Sequence, residues 1–304
     1  MENAYTILLQ IIRMFIMMGI GSFLYKKKLT DDTIVGGLSS LLLYVATPAT
    51  LLNSFLQEYS MEKLKNLLIC FLLATLIYLI GMFLAETLYK KNEGVDKFGV
   101  VFSNAGFIGI PLVSGVLGND AVFYLAPVIV MFYVFAFTYG VYIMAEDLGT
   151  IRIRKIVINP CILAPLLGMI LFVTKCSLPS PVTGAISNLA GLNTPLAMLV
   201  LGAHIAKGDL KDIFTNRKAY KVSLIRGILM PLIIIALLKF LPEQWQEIKM
   251  VLLISLSAPI GALSPVFALM YGKDPLYAAQ TVCLSTLLSI GTLPLMMLIA
   301  QIVW

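Results

Sequence analysis

Apolar residues fill this chain in long blocks without strict alternation, and short clusters of Lys, Asp, Glu, Asn and Gly punctuate them. Uninterrupted blocks of that kind predict helices rather than half-buried strands. They place spans at residues 5–25, 34–56, 65–88, 98–117, 121–145, 156–174, 182–206, 219–240, 249–271 and 276–303. Each approaches the roughly 20 residues that cross about 30 Å of hydrocarbon.

Composition turns these helices into membrane spans. Hydrophobic residues make up 60% of the 304 positions and charged residues 12%, with a mean hydropathy of +0.94. Soluble domains carry about 25% charged residues. No water-soluble core hides so much apolar surface, so the lipid bilayer is the expected partner, and only helices or a closed barrel satisfy their backbone groups there. The long non-alternating runs select helices. The first run follows Met1-Glu2-Asn3, and Lys26, Lys27 and Lys28 come after it, which reads as a retained span and not a secretory signal. Cys70, Cys161, Cys176 and Cys283 show no CxxC spacing, so neither a metal site nor any cofactor is expected.

Charge fixes the expected orientation. If the loops alternate sides, fifteen basic residues fall on one side and five on the other, with Arg13 and Arg226 inside spans. The basic side is then cytoplasmic and both termini lie outside the cell, in a plasma-membrane protein. The same bias explains the net charge of +6 without a nucleic-acid partner.

An internal repeat follows. Thr47-Pro48 recurs as Thr194-Pro195, and Ser103, Pro111, Gly118 and Asp120 recur as Ser257, Pro265, Gly272 and Asp274, at shifts of 147 and 154 residues. These matches fall on the second and fourth spans of each half. Five spans per half is odd, so residues 156–304 form a second repeat inverted relative to residues 1–145, with 146–155 as a short cytoplasmic linker. Inverted repeats place a binding site near the midplane, where discontinuous helices meet.

Spans four and nine carry the marks of such helices. Ser103 to Pro111 includes Asn104, Gly106, Gly109 and Pro111, and Ser257 to Pro265 includes Pro259, Gly261, Ser264 and Pro265. Proline removes an N–H and clashes one turn back, and glycine leaves helical angles at low cost, so both spans are expected to break. Freed N–H groups and half-helix N-termini would present positive potential to an anion. The candidate substrate-binding residues are therefore Ser103, Asn104, Gly106, Pro111, Ser257, Pro259, Ser264 and Pro265.

Arg13 needs a partner at its depth, and an anion path or a structural tie would each supply one. Arg226, five residues from Lys221, can snorkel to the cytoplasmic surface. His204 reads as an interfacial imidazole or a proton-coupling group, and Glu86 as an interface residue or the i+4 partner of Lys90. No carboxylate falls mid-membrane. Enzyme signatures such as HExxH, GxSxG and a P-loop are missing, and Asp120 and Asp274 fall at opposite faces, so no catalytic residues are expected.

The string Asn104-Ala105-Gly106-Phe107-Ile108-Gly109-Ile110-Pro111-Leu112 resembles the fourth-span signature of the auxin efflux carrier family, which includes plant PIN proteins and bacterial carboxylate permeases. Leu43 to Pro48 and Pro259 to Tyr271 support the resemblance. It implies a bacterial-type member with ten helices, an inverted five-plus-five repeat and a fold similar to bile-acid sodium symporters. Spans four and nine would cross at the substrate site, and spans one, two, six and seven would form a fixed scaffold for an elevator-like domain. The short linker leaves no room for the long hydrophilic loop of some plant members. Together these readings predict a secondary transporter that exports small organic anions, carboxylates or auxin-like acids, with a non-transporting receptor or sensor as the rival class. A homodimer stays open. Efflux of a monoanion from a negative interior gains about 2.3 kcal/mol per 100 mV and requires no coupling ion.

Overall fold

In the computed structural model, which describes residues 2–208 and 210–304, the chain is helical, and no strand forms among the described residues beyond one isolated bridge between Ser103 and Ile260. Among the described residues seven helices are long and apolar enough to cross a membrane: α1 (Tyr5–Lys26), α2 (Asp32–Ser54), α3 (Met61–Leu88), α6 (Asn119–Ala145), α8 (Ser180–Lys207), α9 (Arg217–Leu238) and α12 (Pro275–Val303). The other three predicted spans differ from these. One is the 15-residue α7 (Pro160–Thr174). The remaining two are interrupted, as α4 (Gly94–Val101) followed by α5 (Ala105–Leu117), and as α10 (Gln246–Leu256) followed by α11 (Leu263–Met270).

Short polar side chains start the helices where the chain re-enters apolar surroundings. Asp31 accepts from the Ile34 N–H at 2.8 Å, Asn159 from Cys161 at 2.9 Å, and Asp274 from Leu276 and Tyr277 at 3.0 Å each. Each cap meets N–H groups that the first turn leaves without partners. Pro160 and Pro275 stand at the first helical position, where a missing N–H costs nothing.

Two sets of helices pack among themselves. In one, α1 lies along α8, and α2 lies against α7 and α8. In the other, α3 packs on α4 and α6, α10 on α6, and α12 on α9 and α11. The sets meet along a seam where α1 faces α5 and α12 and α7 faces α6. Gln10 of α1 reaches across it, its amide donating to the Pro111 carbonyl at 3.1 Å. Of the long helices α6 is the most enclosed, and its apolar run is covered on nearly every side, whereas α1 and α2 leave most of theirs outward.

On the side bearing most of the lysines, Lys97 pairs with Glu86 at 2.5 Å and Tyr139 donates to the same carboxylate at 2.7 Å. Glu86 therefore pairs with Lys97 and not with Lys90, because α4 stands across from the end of α3 and offers a buried cation.

Glycine sets the closest contact, between α1 and α8. Gly202 lies on the Met18 carbonyl and Gly21 on the backbone of Leu199, so neither position has room for a side chain. Small residues at such contacts let membrane helices gain dispersion contact that lipid would otherwise supply. Overpacking a tight contact costs about 1–3 kcal/mol. We expect Gly202→Val to lower the thermal unfolding midpoint in detergent, while Gly19→Val, at a position with open space around it, serves as the control and leaves the midpoint near wild type.

Candidate functional site

The two interruptions lie side by side. Between α4 and α5 the chain leaves the helix at Phe102 to Asn104, and between α10 and α11 at Ser257 to Ala262. The exposed backbones pair with each other: Asn104 N–H donates to the Pro259 carbonyl at 2.7 Å, and Gly261 N–H donates to the Phe102 carbonyl at 2.9 Å. Ile260 N–H finds the Ser285 hydroxyl of α12 at 3.1 Å. Gly261 makes the approach possible, since a Cβ there would stand 3.3 Å from the carbonyl oxygens of both Phe102 and Ser103.

Neither break falls at Pro111 or at Pro265. Pro111 lies past the break, after a wide turn over Ala105–Gly109, and Pro265 is in the first turn of α11. A first-turn proline loses an N–H that had no acceptor anyway, and the wide turn absorbs the loss at Pro111. The prolines thus sit in the second half-helices, and the breaks themselves are made by Phe102 to Asn104 and by the segment holding Pro259 and Gly261.

Breaking two helices strands two sets of C-terminal carbonyls, and one side chain answers both. Arg226 of α9 is 1% exposed. Its Nε donates to the Ala258 carbonyl at 3.0 Å, Nη1 to Val100 at 3.0 Å and Val101 at 3.4 Å, and Nη2 to Leu256. Val101 and Leu256 end α4 and α10. The guanidinium fork therefore ties both C-termini together, and no carboxylate pairs with it among the described residues. The expected snorkelling of Arg226 does not occur. Carbonyls offer it a full set of acceptors inside the protein, so it has no reason to reach for water.

The opposite poles, the N-termini of α5 and α11, border a cavity of about 180 Å³. Ser103, Asn104, Gly106 and Phe107 form one side, Ala262 and Leu263 another, and Leu43, Tyr133 and His204 close it from α2, α6 and α8. Asn104 caps α5 through its Oδ1, which accepts from Phe107 N–H at 3.4 Å. Its Nδ2 has no hydrogen-bond partner among the described residues, although Asn104 is only 4% exposed. Ser257 and Ser264 are buried with unpartnered hydroxyls near the break but do not line this cavity.

Of the sequence-predicted residues, Ser103, Asn104 and Gly106 reach the cavity, Pro259 contributes its carbonyl to the bridge, and Pro265 lines an adjoining apolar cavity of about 350 Å³. The two cavities share His204, Ala262 and Val266. Arg13 lies on an exposed face of α1, away from the buried stripe of Ile7, Gln10, Ile11, Met14 and Met18, and lines neither cavity. Arg226 is the residue at the breaks that sequence reasoning placed wrongly. The usable signal was an arginine inside an apolar span beside two breaks that each demanded donors.

Each buried carbonyl left without a donor costs about 1–3 kcal/mol. Arg226→Met is expected to reduce the thermal midpoint clearly, and Arg226→Lys, which keeps the charge but loses the planar fork, should fall between; an unchanged midpoint for Arg226→Met would contradict the tie.

A comparison with curated proteins gives no match. A family model described as membrane transport protein matches residues 6–297, almost the whole chain. Carrying seven long apolar helices, two interrupted ones and that match, the chain is a multi-pass membrane protein and belongs to the membrane transport protein family, that of the auxin efflux carriers.

Proposed function

We propose that this protein is a secondary transporter of small organic anions, carboxylates or auxin-like acids, exporting them across the plasma membrane by elevator-type alternating access. The observation that carries the reading is the cavity where two helix N-termini meet an unspent Asn104 amide and no carboxylate. N–H dipoles and an amide donor suit a carboxylate, which accepts hydrogen bonds and carries the complementary charge. In this reading α4–α5 and α10–α11 are the crossing helices of two inverted repeats, residues 1–145 and 156–304, joined by 146–155, and both chain ends face outside.

The packing supports a division of labour. The set of α1, α2, α7 and α8 would stay fixed while the set holding both breaks shifts along the seam, and the cavity lies on that seam with walls from both. An inverted repeat supplies two related conformations, so alternating access needs little new structure. With Arg226 spent on carbonyls and no acidic group on the cavity wall, export of an anion down the membrane potential needs no coupled cation.

Flux of radiolabelled carboxylates in proteoliposomes tests the reading, and binding without flux would favour a receptor that keeps the fold. Asn104→Ala removes the free amide, and we expect substrate affinity to fall by about tenfold or more, since a hydrogen bond to a charged group is worth about 1.5–3 kcal/mol. Unchanged affinity in a folded Asn104→Ala protein would move the site elsewhere.

A further inference from the structure

At the end of α2 far from Lys26, Lys27 and Lys28 lies a separate cavity of about 330 Å³, walled by α2, α5, α6 and α8. Ser, Thr and Asn side chains from these helices line it, with no charged group among them. Three of its hydroxyls have already spent their hydrogens. Thr50 Oγ1 donates to the carbonyls of Ala46 at 2.8 Å or Ala190 at 3.2 Å, Ser54 donates to Leu51 at 2.8 Å, and Ser114 to Pro111 at 3.3 Å. Each oxygen keeps lone pairs with which to accept. Asn193 is buried; its Nδ2 donates to Thr47 Oγ1 at 2.9 Å, and its Oδ1 has no partner among the described residues. That bond joins the two copies of the Thr-Pro repeat, because Asn193 directly precedes Thr194-Pro195 and Thr47 opens the other copy. The amide group it leaves over is an acceptor. Asn53, Asn119, Ser187 and Thr194 add further oxygens to the wall. α2 ends at Ser54 and α5 at Leu117, so two helix C-termini, each carrying about half a negative charge, stand at the same place.

We propose that this cavity binds one alkali cation, partly hydrated and held by neutral oxygens. Sodium and potassium accept hydroxyl, amide and carbonyl oxygens without a carboxylate, and helix C-termini add the complementary potential. Protein sites for calcium and magnesium use carboxylates, and none lines this wall. The cavity thus has the opposite polarity to the one beside Asn104. Its walls come from both helix sets, with Thr50, Ser54 and Asn193 on α2 and α8, and Ser114 and Asn119 on α5 and α6. A bound cation therefore braces the seam in this arrangement and does not travel with the anion. The brace rests on the proposed sliding of the two sets, whereas the binding itself does not.

The test follows the thermal unfolding midpoint of the full chain in detergent while sodium or potassium chloride replaces N-methylglucamine chloride at constant ionic strength, so that chloride stays the same. A saturable rise with the alkali salt is expected. Asn193→Asp, which supplies a charged acceptor, should tighten the half-saturating concentration by about tenfold, and Ser114→Ala, which removes one oxygen, should weaken it by about as much. A merely structural role for these residues would shift the starting midpoint and leave the half-saturating concentration where it was. Asn104→Ala, at the other cavity, should leave the cation response unchanged, so failure of the anion site and failure of this one are told apart. In proteoliposomes with the same salt on both sides, saturating sodium should slow carboxylate flux relative to N-methylglucamine; unchanged or faster flux would overturn the brace. Equal midpoints in all three salts for wild type and Asn193→Asp would overturn the site, as would a half-saturating concentration that neither substitution moves.

Discussion

A helix that stops inside a membrane protein exposes carbonyls where no water reaches, and the whole arrangement here depends on how those carbonyls are met. Arg226 meets them on both interrupted helices at once. A buried guanidinium is costly by itself, and stranded C-terminal carbonyls are costly by themselves; together each removes the cost of the other. The backbone pairing of Asn104 with Pro259 and of Gly261 with Phe102 completes the set by meeting groups that lie between the half-helices. With the negative poles tied off on one side, only the positive poles face the cavity. Electrostatic character at the site thus follows from backbone accounting more than from its side chains.

Packing places that cavity where it can serve transport. The α1–α8 contact, closed to side chains by Gly21 and Gly202, holds one set of helices tightly. The enclosed α6 anchors the other, with α3 and α10 on its flanks. Across the seam between the sets run modest polar links, such as Gln10 to Pro111. A site built on one set and roofed by Leu43 and His204 of the other is the geometry in which relative sliding changes access.

Much of this was legible in the amino-acid order. Long apolar runs gave the helices, and the dense Asn, Gly and Pro content around Asn104 and Pro259 marked the two interruptions within a few residues. Asn104 was legible because an amide in an apolar block has few other uses. The positions of the breaks relative to Pro111 and Pro265 were not, since first-turn tolerance of proline depends on where the helix starts, and that is decided by pairing between segments more than 150 residues apart in sequence. Arg226 was misread for a related reason. Its acceptors are backbone carbonyls, which every residue carries, so no side-chain pattern announces them. Arg13 misled in the opposite way: its depth suggested the site, but the buried stripe of α1 points elsewhere.

A carboxylate docked as proposed at the N-terminus of α5 would lie beside Asn104. A solid-state NMR dipolar measurement between a ¹³C-labelled ligand carboxylate and ¹⁵N-labelled asparagine side chains, in protein saturated with a ligand found by thermal shift, tests it most directly. Docking there should give a coupling corresponding to about 4 Å or less, the range of a hydrogen-bonded amide and carboxylate carbon, and its loss in Asn104→Ala. Saturating binding with no coupling to Asn104 would contradict it.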